Sequence, residues 1–306
     1  MLALVAPSSD VLPGSVASPT TSPTTSSATP TWRVGANVVA STALLAVGIA
    51  TGPQLLIGLG VAAVVGASCE ALAPLHGGRR SARAYALDLT HAIGNRCLIL
   101  PLVAVALTVA APAMAIAMPA SVNLGFAGLP GLAQIAILLV LTDFTNYVAH
   151  RGLHRVGLLW SFHAVHHSSE RLDWLATSRG HPVDLAFNLF AISLPSLALD
   201  RIDLAPWLVT FFFLYPFVCH ANARIRIPRL IGAILVTPEF HHWHHAAEAR
   251  AHDRNFGAFL AVWDRLFGTA IEPGEFPDIY GIDGSDLDAG DYVGHLAAPF
   301  RRAKAA

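Results

Sequence analysis

Two long stretches of the chain contain no charged residue, and this feature most restricts how the chain can fold. One run covers positions 34 to 69 and the other covers positions 97 to 142. About 20 apolar residues in a helix are enough to cross the hydrocarbon core of a bilayer. Charged residues make up only 13% of the chain, which is too few to cover the surface of a soluble protein of this length. The sequence therefore predicts an integral membrane protein.

Breaks within the apolar blocks predict that each block folds back on itself as a hairpin. The first run is interrupted by Thr51, Gly52 and Pro53, and the second by Pro112, Pro119 and the segment GFAGLPG. A third apolar block, at positions 183–219, is interrupted by the charged segment 200–203, which leaves two arms of about 16 residues. Short arms of this length fit a shallow hairpin or two tilted spans.

The distribution of arginines predicts which side of the membrane each loop occupies. Arginines are present near residue 80, between 151 and 179 and from 224 onwards, whereas the loop at positions 119–130 has no basic residue. Because basic loops stay in the cytoplasm, all the polar regions are expected on the cytoplasmic face of the cytoplasmic membrane. The predicted fold is an all-α polytopic membrane bundle of four or more spans or hairpins, with a cytoplasmic helical cap.

This organisation gives four expected segments along the chain. The first is a disordered Ser/Thr/Pro-rich tail at 1–31, and the second comprises N-terminal membrane hairpins at 32–135. The third is a histidine-bearing domain at 136–272 that includes the hairpin at 183–219, and the fourth is a polar C-terminal tail at 273–306. The tail at 1–31 has neither a basic region nor a sustained apolar core, so it is a poor signal peptide. The net charge of −1 excludes a basic surface for nucleic acid.

Histidine is the unusual residue of this chain, since twelve of the fifteen fall between His150 and His252. Two segments carry the spacing HxxHH and one carries HxxxH, and residues three and four apart share a helix face. A lone histidine at a helix end is usually a core or capping residue, and we interpret His76, His91, His252 and His295 in that way. The clustered histidines are His150, His154, His163, His166, His167, His220, His241, His244 and His245.

Nine imidazoles at one membrane depth predict a site for two metal ions. Imidazole binds iron, zinc, copper and nickel, and the three scattered cysteines provide neither a disulfide framework nor a thiolate site. A single zinc ion takes at most four ligands. Three other residues are candidates for an extra ligand or for a hydrogen-bond partner of the ligands: His181, Asn222 and Asp253.

The HxxxH and HxxHH segments, or histidine boxes, and the sequence motifs around them resemble the fatty acid hydroxylase/sterol desaturase superfamily of membrane di-iron enzymes. The resemblance covers positions 143–269 and includes LLWSFHAVHHSSERLDWLATSRGHPVD, the HAN at 220–222, PEFHHWHH, the NFG at 255–257 and WDRLFGT. It implies a non-haem pair of iron ions held by the nine clustered histidines. The implied reaction uses O₂ and two external electrons to hydroxylate or desaturate a C–H bond of a lipid. Where some relatives have a second histidine near His220, this chain has Arg224.

The resemblance also implies partners outside the chain. The substrate is expected to be a lipid drawn from the membrane, and the electrons are expected from a separate donor of the ferredoxin or cytochrome b5 type with its reductase. The basic residues Arg171, Arg224, Arg226 and Arg229 are a candidate docking surface for an acidic donor.

Two other classes of function remain open at this stage. The first is a histidine-rich membrane metal transporter, in which ligands would be spread through the membrane depth. The second is a zinc-dependent membrane hydrolase, which would leave most of the nine histidines without a role. The sequence does not distinguish fatty acyl, sterol, carotenoid and ether lipids as the substrate.

Overall fold

The computed structural model describes residues 53–77, 80–117, 120–282, 287 and 291–302. Within them the chain is helical, with three isolated β-bridges and no strand, which confirms the predicted all-α class. The predicted tail at 1–31 and the first half of the N-terminal hairpin lie outside the described residues. The helices are α1 Pro53–Leu72, α2 Ala82–Ala117, α3 Ala120–Ala127, α4 Gly131–Arg155, α5 Gly157–His167, α6 Pro182–Ala198, α7 Ala205–Cys219, α8 Arg229–Gly232, α9 Pro238–His244, α10 Val262–Leu266 and α11 Tyr292–Arg302.

Helix α4 is the one helix among the described residues that is both long and apolar enough to cross a bilayer. Shorter apolar helical segments cover Gly60–Leu72, Pro182–Ala198 and Trp207–Cys219. Several of the predicted apolar hairpins are therefore built from helices shorter than a full crossing. The number of spans stays a prediction.

The second apolar block breaks at the predicted GFAGLPG segment but not at Pro112. Helix α2 continues through Pro112 to Ala117, and the chain turns at 128–130 before α4 begins. Proline removes one helical hydrogen bond, but apolar helices with neighbouring helices tolerate it. Pro112 is therefore an interior residue of α2.

The third apolar block forms the predicted helical hairpin. Helices α6 and α7 are separated by a charged turn in which Asp200 has a φ of 54° and Arg201 pairs with Asp203. A left-handed residue reverses the chain direction, and the exposed ion pair keeps the turn at a polar surface. The arms are 17 and 15 residues long, close to the predicted length.

The helices pack around the space that the histidines occupy. Helix α4 packs against α5 and α6, α2 packs against α6, and α1 packs against α7 and the 3₁₀ helix Trp174–Ser178. Helix α1 approaches this 3₁₀ helix so closely that a Cβ atom on Gly66 would lie 2.3 Å from the Cβ of Trp174. Only glycine fits at this contact, in keeping with the use of small residues where helices approach closely.

The C-terminal segment is more than the polar tail that was predicted for 273–306. It contains α11, which packs on α2 and α5 and buries Tyr292 and His295. His295 Nδ1 lies 2.8 Å from His91 Nε2, and Tyr292 donates to Asn95 Oδ1 at 3.2 Å. The prediction failed here because one face of a short helix, rather than its average composition, decides whether it packs.

Candidate metal centre

All nine clustered histidines come together in two adjoining groups. The ring nitrogens available for a metal lie within 4.8 Å of one another inside each group. The first group is His150, His154, His163, His167 and His244, and the second is His166, His220, His241 and His245. The groups are in direct contact, since the rings of His167 and His245 stack with centroids 4.4 Å apart.

Helical spacing explains how each box presents its rings together. His150 and His154 lie one turn apart at the end of α4, and His163, His166 and His167 lie on the last turns of α5. Helix α9 begins at Pro238, with the side chain of Thr237 as its N-cap, and it presents the third box. His220 follows the last residue of α7.

Five of the nine rings are oriented by a contact at Nδ1, the nitrogen that faces away from the centre. His163 contacts the carboxylate of Asp184 at 3.1 Å, and the other four donate to main-chain carbonyl oxygens. These are His150 to Phe256 O, His166 to Arg179 O, His220 to Pro216 O and His244 to Arg254 O, at 2.8 to 2.9 Å. A proton on Nδ1 leaves Nε2 with a free lone pair, which is the form that binds a metal.

The ring nitrogens that face inward either have no hydrogen-bond partner or face another imidazole nitrogen. Both arrangements fit a metal site. Nε2 of His154 and Nε2 of His244 are buried without a hydrogen-bond partner. Elsewhere in the groups Nε2 atoms face each other, as between His241 and His220 at 3.2 Å. Burial lowers the pKa of His166 to about 4 and lowers the pKa values of His167 and His244 well below the usual range, with neighbouring imidazoles adding to the effect. These rings are therefore neutral at pH 7 and can donate a lone pair.

Residues of the NFG and WDRLFGT motifs stabilise the loop that orients two of the ligand candidates, His150 and His244. Asp264 accepts from the backbone N–H groups of Phe256 and Gly257 at 2.8 and 2.7 Å, and Asn255, with a φ of 56°, donates to Phe240 O. The carbonyl groups of Arg254 and Phe256 then face His244 and His150. Asp264 therefore has a structural role in this loop.

A buried ion-pair network holds the loop that orients His166. Arg179 donates from Nε to Asp88 Oδ1 at 2.7 Å, and Arg80 bridges Asp88 and Asp173. Arg179 and Asp88 are both completely buried. The network fixes the backbone at Arg179, whose carbonyl oxygen accepts the proton on His166 Nδ1.

The three accessory candidates lie outside both groups. His181 is the N-cap of α6, where Nδ1 accepts from Val183 N and Nε2 lies 3.2 Å from Leu296 O. Asn222 pairs through its amide with the backbone of His76. Asp253 lies beside the first group, but its carboxylate is 3.7 Å from His154 Nδ1, beyond ordinary hydrogen-bond distance.

Asp184 is the functional residue that sequence reasoning missed. It is the last residue of the sequence HPVD, lies on the first turn of α6 and is 2% exposed. Its position directly after a proline helix start was the available signal, but nothing in the sequence brings it to His163. His242 was left out of the ligand set, and its ring faces away, toward Tyr280 OH at 2.7 Å and Ala221 O.

A cavity of about 540 Å³ opens from the histidines into the helices. His150, His163, His166, His220 and His241 line one part of it. Side chains of α2, α6 and α7 provide mainly apolar walls elsewhere, among them Ile99, Leu189, Ile192, Val209 and Phe213. A flexible apolar chain fits such a space better than a compact polar molecule.

Residues 135–269 match the family described as Fatty acid hydroxylase. The chain is 32% identical over 174 residues to an ornithine lipid hydroxylase of Rhizobium tropici, a match that covers 56% of this chain and 52% of that protein. It is 32% identical over 140 residues to an alkylglycerol monooxygenase of Danio rerio, covering 46% and 31% of the two chains. It is 27% identical over 150 residues to a Delta(7)-sterol 5(6)-desaturase of Aspergillus fumigatus, covering 47% and 39%.

The chain thus spans about half the length of the first of these relatives and a third of the second. No protein of known structure matches it significantly. The matched region contains all nine clustered histidines together with Asp184 and the loop at 254–257. By these matches, residues 135–269 belong to the fatty acid hydroxylase/sterol desaturase superfamily.

Proposed function

We propose that this chain is a membrane-bound di-iron oxygenase that hydroxylates, or desaturates, a C–H bond of a lipid. The observation that carries the proposal is the convergence of nine imidazoles in two groups of five and four. Such a donor set suits two ions that prefer nitrogen ligands, and iron is the metal of oxygen-dependent lipid oxidation. When bound, the two irons would use O₂ and two external electrons to oxidise the C–H bond.

The chain's own residues hold and protect this site. His150, His154, His163, His167 and His244 would bind one ion, and His166, His220, His241 and His245 would bind the other. Asp184 and the four backbone carbonyls keep the Nδ1 protons away from the metals. The apolar walls of the cavity exclude water from the reacting carbon, so that oxidation is directed to the substrate.

The overall reaction balances with a donor from outside the chain. Hydroxylation converts one C–H bond and O₂ into an alcohol and water, and it consumes two electrons and two protons. Desaturation with the same inputs removes two hydrogen atoms and yields two water molecules. We propose a ferredoxin or cytochrome b5 type of donor, with its reductase, on the cytoplasmic face.

The membrane location follows from the apolar helices and the position of the cavity. Helix α4 carries His150 and His154 at its end, and the apolar arms of α6 and α7 line the cavity. A lipid chain can enter such a cavity directly from the bilayer. We propose an integral protein of the cytoplasmic membrane, organised as the four predicted segments with helix α11 as a packed part of the last one, and with the metal centre at the cytoplasmic surface.

The decisive experiment measures metal and lipid chemistry together. Purified protein is expected to contain close to two irons per chain, and cells with the intact protein are expected to contain a lipid that has gained an oxygen atom or lost two hydrogens. Mass spectrometry of extracted lipids distinguishes the two outcomes. One zinc and no iron per chain, or metal flux without oxygen consumption, would contradict the proposal.

A further inference from the structure

Two polar groups in the cavity wall have no hydrogen-bond partner among the described residues. The side chain of Asn146 lines the cavity, is 8% exposed, and its amide makes no hydrogen bond within the described part of the chain. Ser178 also lines the cavity, and its hydroxyl is buried without a partner. A buried amide or hydroxyl without a partner destabilises the fold, so these groups are expected to meet a ligand.

Both residues lie close in the chain to residues of the metal centre. Asn146 stands one helical turn before His150 on α4, and residues four apart share a helix face. Ser178 directly precedes Arg179, whose carbonyl oxygen accepts from His166. Asn146 is therefore related to His150 of the first histidine group, and Ser178 is related through Arg179 to His166 of the second group.

The other amides of the cavity wall are already used by the protein. Asn188 donates to Asp184 Oδ1 at 2.8 Å, and Asn95 bonds Gly180 O and Tyr292. Asn146 differs because both its N–H groups and its carbonyl oxygen are available. An incoming ligand that satisfies this amide must carry a hydrogen-bonding group at the depth of Asn146.

Resting on the proposed function, we propose that Asn146 is a positioning residue that hydrogen-bonds a carbonyl linkage of the lipid substrate. The Nδ2 group donates to the carbonyl oxygen, and the acyl chain fills the apolar part of the cavity. The substrate class is then an amide- or ester-linked acyl lipid. Since Asn146 is one turn from His150, the oxidised carbon lies within a few bonds of that linkage.

The test measures binding by the full-length, metal-loaded protein in detergent, without reductant or O₂. Native mass spectrometry gives the affinities of two probes of similar length, N-methylhexadecanamide and octadecane. The wild-type protein is expected to bind the amide more tightly. The substitution Asn146→Leu is expected to lower the ratio of the two affinities by about tenfold, the effect of one hydrogen bond.

Two further variants separate this effect from misfolding. Asn146→Gln keeps an amide and is expected to retain part of the preference. Asn123→Leu removes another asparagine whose buried oxygen has no partner but which does not line the cavity, and it is expected to leave the ratio unchanged. Octadecane binding reports that each variant is folded.

Three results would overturn the inference: a wild-type protein without preference for the amide, an Asn146→Leu variant with the wild-type ratio, or an equal loss in Asn123→Leu. The proposed function fails by a separate result, which is a wild-type protein without iron or without oxidised lipid. Because binding is measured without turnover, the two failures are distinguishable.

Discussion

Asp184 contacts His163 through the nitrogen that faces away from the metal centre, and a neutral amide cannot play the same part. We predict that Asp184→Asn lowers the affinity for iron by about 10- to 100-fold, as is usual when the partner of a metal-binding histidine is lost. Equilibrium dialysis against buffered Fe²⁺ measures the affinity. Asp203→Asn, which changes an exposed carboxylate in the α6–α7 turn, is the matched control. Unchanged iron affinity in Asp184→Asn would rule out this role.

His166 belongs to the second group and contacts both His220 and His245. We predict that His166→Ala loses iron and lipid oxidation but keeps membrane insertion, because the helices that carry the apolar surface are unchanged. Metal analysis, lipid mass spectrometry and membrane fractionation measure the three properties. His252→Ala, at an exposed histidine outside both groups, is expected to retain iron and activity. Retained turnover in His166→Ala would contradict the assignment.

At the residue scale, the sequence predicted that the clustered histidines come together. It did not predict the contacts that orient their rings. Spacings of three and four residues are local properties of a helix, so HxxHH could be interpreted from the chain alone. The contact between Asp184 and His163 depends on how α6 packs against α5. No local pattern distinguishes Asp184 from Asp143, which accepts from the backbone of Phe259 and Leu260.

Helix α1 meets the 3₁₀ helix Trp174–Ser178 at Gly66, and this contact supports one end of the cavity. We predict that Gly66→Ala destabilises the protein by about 1–3 kcal/mol, because the added Cβ atom overlaps Trp174. Thermal unfolding in detergent measures the effect. Gly60→Ala in the same helix meets no atom within 4 Å and is expected to leave stability unchanged or raise it by roughly 0.5–1 kcal/mol. Equal melting temperatures for both variants would contradict this packing.

The elements that were predicted well are those whose signal is local. The helical hairpin of α6 and α7 follows from two apolar runs and a charged turn. Helix α11 was predicted as tail because its composition is polar, although one face is buried against α2 and α5. One contact of this helix joins His295 to the side chain of His91, which lies 204 positions away in the chain.

The metal centre joins segments of the chain that are far apart in sequence, so bound metal should stabilise the whole molecule. We predict that chelation of iron lowers the melting temperature, since a ligand at 100 times its Kd stabilises the folded state by about 2.7 kcal/mol. Differential scanning calorimetry before and after chelation measures the shift, and added Fe²⁺ is expected to reverse it. The double variant His154→Ala/His241→Ala, which removes one ligand candidate from each group, is the control, in which the chelator is expected to have no effect. An equal shift in this variant would show that the chelator acts elsewhere.

At the scale of the whole molecule, the sequence predicted that the histidine boxes converge but not the shape of the space beside them. The prediction of convergence came from the arginines, whose distribution predicts that all polar regions lie on one side of the membrane. The cavity depends on the relative tilt of α2, α6 and α7, which no residue pattern encodes directly.

The carbonyl contacts of the histidines have a consequence for how the site tolerates mutation. Four of the five Nδ1 contacts described above are made to main-chain oxygens, which every amino acid possesses. Random substitution at Arg254, Phe256 or Pro216 therefore leaves the acceptor in place as long as the backbone path is kept. A saturation mutagenesis screen should find Asp184 intolerant of nearly every replacement, whereas Arg254, Phe256 and Pro216 accept variation. Arg179 is not expected to be tolerant, because its buried side chain pairs with Asp88.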